Sequence, residues 1–335
     1  MYTEFYGLRG EPFLLTPDHH FYFESSVHSQ AMAHLTYGLS RGEGFIVITG
    51  DVGAGKTTLV KRLYSTLDRS QVVAAHVVTT LLSGTDLLHM VAAAFGLDDI
   101  PINKSALLLQ LQRFFETIHG EGRRALLIVD EAQNLTVGAL EELRMLSNIQ
   151  VGSAAPFQSF LVGQPQFRAL ISSPELEQLQ QRVIAFYHLG PLTEQECGEY
   201  VQHRLHHVGW TEDPAFEPDA MTALYKHTGG IPRRINTLGN RLMMLGFLDE
   251  LHRFSADDVE RVAGDLANES NFGGSDSDDS APHSKNGANG TNGAASDLAT
   301  RLVGVEKRLT EQETFLRRTA IALQQFLEFR GRAAS

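Results

Sequence analysis

FIVITGDVGAGKTTL, Phe45 to Leu59, decides how the other residues of this 335-residue chain are read. Phe45 to Thr49 is an apolar run of strand length, suited to a strand covered on both faces of a sheet. Gly50, Gly53 and Gly55 follow at once, and from Lys56 the pattern is helical. Gly50, Gly55, Lys56 and Thr57 complete G-x-x-x-x-G-K-[ST] in the strand–turn–helix context that the motif requires. The physics is local. Glycines let successive backbone N–H groups turn inward around phosphates, and the helix N-terminus adds positive potential.

The spacing therefore predicts a site for ATP and Mg2+, with Gly50, Asp51, Val52, Gly53, Ala54, Gly55 and Thr58 forming the cradle. Lys56 is expected to reach the β and γ phosphates, and the Thr57 hydroxyl to ligate magnesium. ALLIVDEAQNL, Ala125 to Leu135, supplies a second apolar strand that ends in Asp130, a magnesium-side carboxylate. Glu131 follows and is placed to polarise the attacking water. Gln164, after the strand Phe157 to Val162, is a candidate to orient that water or touch the γ phosphate. Arg182 in QLQQRV could reach into a neighbouring subunit's site, and Arg233 in GGIPRRIN could close over the γ phosphate, with Arg234 as its rival. Each of the three also has a plainer reading, as a loop amide or an exposed arginine.

Outward from the motif, short apolar runs alternate with amphipathic stretches from Met1 to about Gly190, which predicts a parallel α/β sandwich over residues 1–190. The expected strands are Phe45 to Thr49, Val72 to Val78, Ala125 to Val129, Phe157 to Val162 and a short one at Ala185 to Leu189. Residues 191–267 read as a small all-α lid of four helices, with Thr193 and Glu196 forming a capping box, Gly229 and Gly230 ending the second helix and Ser255 starting the last. Residues 268–297 are expected to be a disordered linker. In 298–330, Leu302, Leu309, Leu316 and Leu323 recur every seven residues, the mark of an amphipathic or coiled-coil helix.

Composition narrows the function classes. A formal net charge of −12 argues against a surface built to hold nucleic acid. The single cysteine, Cys197, excludes an intramolecular disulfide and fits a reducing cytoplasm. No apolar run is long enough to span a membrane, so membrane association is expected to be peripheral, through a partner. His203, His206 and His207 lack a completing carboxylate or cysteine and read as packing or surface residues.

The stretches FYGLRGEPFLLTPDHHFYF, HSQAMAHLTYGLSRGEGFIVITGDVGAGKTTL, LLIVDEAQNLTVGALEELRMLSN, SFLVGQPQF, LQQRV and HTGGIPRRIN together resemble the AAA+ ATPases. Within them they are most similar to the type II secretion assembly branch, and there to the secretion ATPases of exosortase (XrtA)/PEP-CTERM sorting and exopolysaccharide-export systems. The resemblance implies that Phe13, Thr16 and Pro17 pack near the adenine. It further implies that Arg182 is a trans-acting finger and Arg233 a second sensor, in a homo-oligomer whose partners are inner-membrane export or sorting components. The larger members of that branch continue into a membrane segment and a wall-binding domain, where this chain has a linker and a heptad helix. The expectation is an ATPase coupled to envelope export. The alternatives are a DNA-associated ATPase of the transposition-regulator or loader type, and a weakly hydrolysing ATP-dependent adaptor.

Overall fold

In chain order, the computed structural model contains α1 (Tyr2–Phe5), α2 (Ser26–Arg41), β1 (Phe45–Gly50), α3 (Lys56–Thr66), β2 (Val72–Val78), α4 (Gly84–Ala94), α5 (Lys104–Gly120), β3 (Arg124–Asp130), α6 (Val137–Ser147), β4 (Phe157–Gly163), α7 (Gln166–Ile171), α8 (Glu177–Gln180), β5 (Val183–Leu189), α9 (Glu194–His207), β6 (Ala215–Phe216), α10 (Pro218–Thr228), α11 (Pro232–Leu248), β7 (Arg253–Phe254) and α12 (Ala256–Phe272). Residues 1–16, 21–79 and 83–272 are described. The expected heptad helix and all but the first residues of the expected linker lie outside them. Those first residues belong to α12, which runs on to Phe272 rather than ending at 267.

Five strands form one parallel sheet in the order β2-β3-β4-β1-β5. Alternation along the strands sorts the core into two layers. Phe45, Val47, Leu127, Val129 and Phe157 face one way and pack with Leu87, Leu111, Phe115 and Leu140 from α4, α5 and α6. Ile46, Ile48, Leu126, Ile128 and Phe160 face the other way and pack with Ala31, Leu35, Leu59 and Leu63 from α2 and α3. Every residue of β1 is buried, as its unbroken apolar run requires.

A separate core joins α9, α10, α11 and α12, built on Val201, Leu205, Leu224, Ile235, Leu242 and Val259. The predicted start signal of α9 is present: Thr193 and Glu196 exchange side-chain and backbone bonds as a capping box. Two features of this region were not foreseen. The short strands β6 and β7 pair in parallel and bring Phe216 beside the fully buried Phe254. The N-terminal segment, expected with the sandwich, instead places Tyr2, Tyr6, Leu8 and Phe13 in the helical core. Tyr6 Oη donates to the Leu251 carbonyl at 2.7 Å, and Tyr2 Oη to Asn240 Oδ1 at 2.9 Å.

Phe13, 2% exposed, is thereby a core residue of the helical domain. Phe13→Ala is expected to lower the unfolding free energy by about 3–5 kcal/mol, measured by urea denaturation. A loss below about 1 kcal/mol would remove Phe13 from that core.

Candidate active site

Parallel strands present all their C-terminal ends at one edge, and here β1, β4 and β3 lie side by side. Thr49 is level with Gly163, and Val129 with Leu161. The phosphate-type loop, the Asp130–Glu131 pair and Gln164 therefore leave the sheet at neighbouring points. Gly53 and Gly55 hold φ of +85° and +98°, a region that favours glycine. Contact demands glycine as well: a Cβ on Gly55 would lie 2.7 Å from His28 Nε2, and one on Gly53 2.3 Å from Arg233 Cβ. Lys56, the first residue of α3, is 6% exposed, and its Nζ donates to the carbonyls of Gly50 (2.7 Å) and Asp51 (2.9 Å). Burial lowers its pKa, while the nearby carboxylates of Glu131, Asp130 and Asp51 favour the ammonium.

Thr57 Oγ1 donates to Asp130 Oδ2 at 3.0 Å, and Asp130 is buried. A hydroxyl and a carboxylate so placed, beside a glycine loop, form the kind of sparse oxygen set that Mg2+ takes when phosphates supply further ligands. Glu131 has φ +55°, uncommon for a side chain of its size. The turn is fixed from several sides. Thr79 Oγ1 donates to the carbonyls of Asp130 (3.0 Å) and Glu131 (2.8 Å), and Asn134 Nδ2 donates to the Thr79 carbonyl at 3.1 Å. Backbone strain held in this way is characteristic of functional sites. The Glu131 carboxylate accepts at Oε2 from Gln133 Nε2 (2.6 Å) and Gln164 Nε2 (3.2 Å).

The loop opens on a cleft between the sheet edge and the helical domain. Thr16, Phe21, Tyr22, Tyr200, Arg233 and Asn236 are among its walls, as are Val52 and Thr58. Ala54 lies buried beneath. Arg233 is exposed, and its backbone N–H donates to the Gly53 carbonyl at 3.2 Å. One expectation changes. Phe13 does not line the cleft but belongs to the helical core, because apolar contacts there enclose the whole ring. Pro17 lies outside the described residues. Arg182 stands apart from the other candidates: it precedes β5, whose Val183 is level with Phe45 at the far edge of the sheet. There it is exposed and donates to the carbonyl (3.0 Å) and hydroxyl (3.2 Å) of Ser147. The histidines of α9 serve in packing, His203 against Phe23 and His207 against Phe21.

Several contributors carried little or no sequence signal. Arg204 is 5% exposed and holds the N-terminal segment through the carbonyls of Pro12 (2.5 Å) and Leu14 (3.4 Å), with its guanidinium 4.6 Å from the Phe21 ring. His28, buried under the loop, has Nδ1 2.7 Å from Ser25 Oγ. Next to it, Ser26 N–H donates to Glu196 Oε1 at 2.7 Å, linking α2 to the cap of α9. Only tertiary structure brings these groups together. The capping pattern Ser25–His28 was the one local hint.

The order of the sheet, the loop and the strand-end carboxylates define a parallel-sheet P-loop NTPase. Residues 39–171 match the family model described as an AAA domain. General secretion pathway protein A of Aeromonas hydrophila is 37% identical over 270 residues, 78% of this chain and 48% of that protein. The chain thus spans about half the length of the curated relative it matches, and it carries an AAA-type domain related to it. Among solved structures, Cdc6p of Pyrobaculum aerophilum is similar with a TM-score of 0.59 at 15% identity, over 77% of this chain and 72% of that one. The ADP form of the Aeropyrum pernix ORC2 protein gives 0.53 at 18% identity, over 74% of each chain. At such identities the likeness is one of fold.

Burial lowers the pKa of His28 from its ordinary 6.5, outweighing its bond to the Ala54 backbone and the Glu196 charge. The folded chain therefore prefers neutral imidazole. Its contribution to stability is whole above 6.5 and declines as pH falls from there toward the lower folded value. Between about pH 7.5 and about pH 5, wild type is expected to lose urea resistance faster than His28→Asn. Parallel losses in the two proteins would contradict this.

Proposed function

We propose that this protein is a Mg2+-dependent ATPase that works as an oligomer on an envelope export or sorting assembly. The observation that carries the enzymatic part is the gathering of Lys56, Thr57, Asp130 and Glu131 at one sheet edge, under a loop that needs glycine for both conformation and space. In this reading Lys56 leaves its carbonyl partners to bind the β and γ phosphates, while the backbone N–H groups of 51–58 surround the chain of phosphates. Thr57 and Asp130 hold Mg2+, which when bound neutralises charge on the β and γ oxygens. Glu131 takes a proton from the attacking water, and Gln164 helps to orient it.

Arg182 lies at the sheet edge away from its own loop, so its role is in trans: it completes the site of a neighbouring copy and stabilises charge on the transferring phosphoryl group. Arg233 couples the helical domain to the γ phosphate, since its backbone already rests on the loop. The export role is supported by the similarity to general secretion pathway protein A, and the finer exosortase/PEP-CTERM and exopolysaccharide assignment by the sequence resemblance alone. Among the described residues no helix is long and apolar enough to cross a membrane. We infer a cytoplasmic protein held at the inner membrane through its partners, and the net charge of −12 disfavours nucleic acid as the working substrate.

The test is steady-state ATP hydrolysis across protein concentration, with nucleotide binding measured separately. Lys56→Ala is expected to lose MgATP affinity. Glu131→Gln is expected to keep it while turnover falls about 10²- to 10⁴-fold. Equal turnover by wild type and Glu131→Gln would defeat the assignment of the base. For wild type, specific activity should rise with concentration, and Arg182→Ala should bind MgATP yet turn over at least about 100-fold more slowly. Flat activity with Arg182 dispensable would mean a self-contained site and favour the adaptor reading. Tight, salt-dependent DNA binding would favour the loader reading.

A further inference from the structure

We propose that Gln133 is a positioning residue that aims the Glu131 carboxylate, an inference that rests on the ATPase reading above. Gln133 sits in the single helical turn Ala132–Asn134 that follows Glu131, anchored by the fully buried Ala132. Its amide is used at both ends. Oε1 accepts the backbone N–H of Gln164 at 2.9 Å, and Nε2 donates to Glu131 Oε2 at 2.6 Å. A backbone N–H can only donate, so the oxygen of the amide must face Gln164 and the NH2 must face the carboxylate. The orientation is set by chemistry.

The Gln164 side chain donates to the same oxygen at 3.2 Å. Both donors end on Oε2, which pins that oxygen and leaves Oε1 to serve as the base toward the attacking water. Glu131 and Gln164 line the cleft, whereas Gln133 does not. It therefore acts through Glu131. Because its other contact is the backbone at the end of β4, a shift of that strand end would re-aim the base without touching the phosphate loop.

The experiment is a double-mutant cycle on the full chain, joining Gln133→Leu and Glu131→Gln, with turnover, MgATP affinity and melting without nucleotide as readouts. Gln133→Leu alone should lower kcat about 10- to 100-fold and leave MgATP affinity within about twofold of wild type. In the Glu131→Gln background it should lower kcat no further, and the melting shifts of the two changes should be non-additive. Independent effects in both cycles, or loss of affinity in step with kcat, would overturn the proposal. A wild type that binds MgATP and never turns it over would sink the ATPase reading and the catalytic half of this one. The melting cycle would then decide alone whether Gln133 holds Glu131, additive shifts refuting it.

Discussion

A buried ammonium sets the terms for the rest of this structure. Lys56 is almost wholly withdrawn from water, and a cation in that position needs both direct acceptors and nearby negative charge. The acceptors are the carbonyls of Gly50 and Asp51, and the field comes from Glu131, Asp130 and Asp51. These groups meet only if β1 and β3 end at the same edge with β4 between them, so the requirement reaches back to the parallel pairing and strand order. Helices on both faces follow, since parallel strands need crossovers and their two apolar faces need cover.

The same edge explains why the carboxylates are not interchangeable. Asp130 is tied to Thr57 and to the backbone N–H of Glu131, which keeps it low against the start of α3. Glu131 is turned away by its left-handed backbone and held by amides, so it faces the cleft while its neighbour faces the hydroxyl. One residue step along the chain thus separates two roles. Thr79, from the end of the adjacent strand, fixes the carbonyls of both.

Much of this was legible in the sequence, for reasons that differ between elements. Val72–Val78 coincides with its expected strand because the run is bounded by polar residues. β5 begins two residues before the expected Ala185, because Val183 and Ile184 continue its apolar run directly after Arg182. The loop motif and the Asp130–Glu131 pair were readable because their partners are local or their spacing is fixed by the fold. Gln133, Thr79, His28 and Arg204 were not, because each owes its role to groups reached only after folding; Arg204 and the Pro12 carbonyl are 192 residues apart. The aromatic N-terminus was placed with the wrong core for a similar reason. Tyr2, Tyr6 and Phe13 announce burial without saying against what.

That N-terminal segment has a mechanical consequence. The chain begins inside the helical core with Tyr2 to Phe13, crosses to the sandwich before Ser25, and crosses back between Leu189 and Leu192. The helical domain is therefore stitched to the sandwich by two covalent threads rather than hung from one. Two covalent links leave the helical domain fewer ways to part from the sandwich than a single link would, and the ATP-type cleft lies between the two bodies they join.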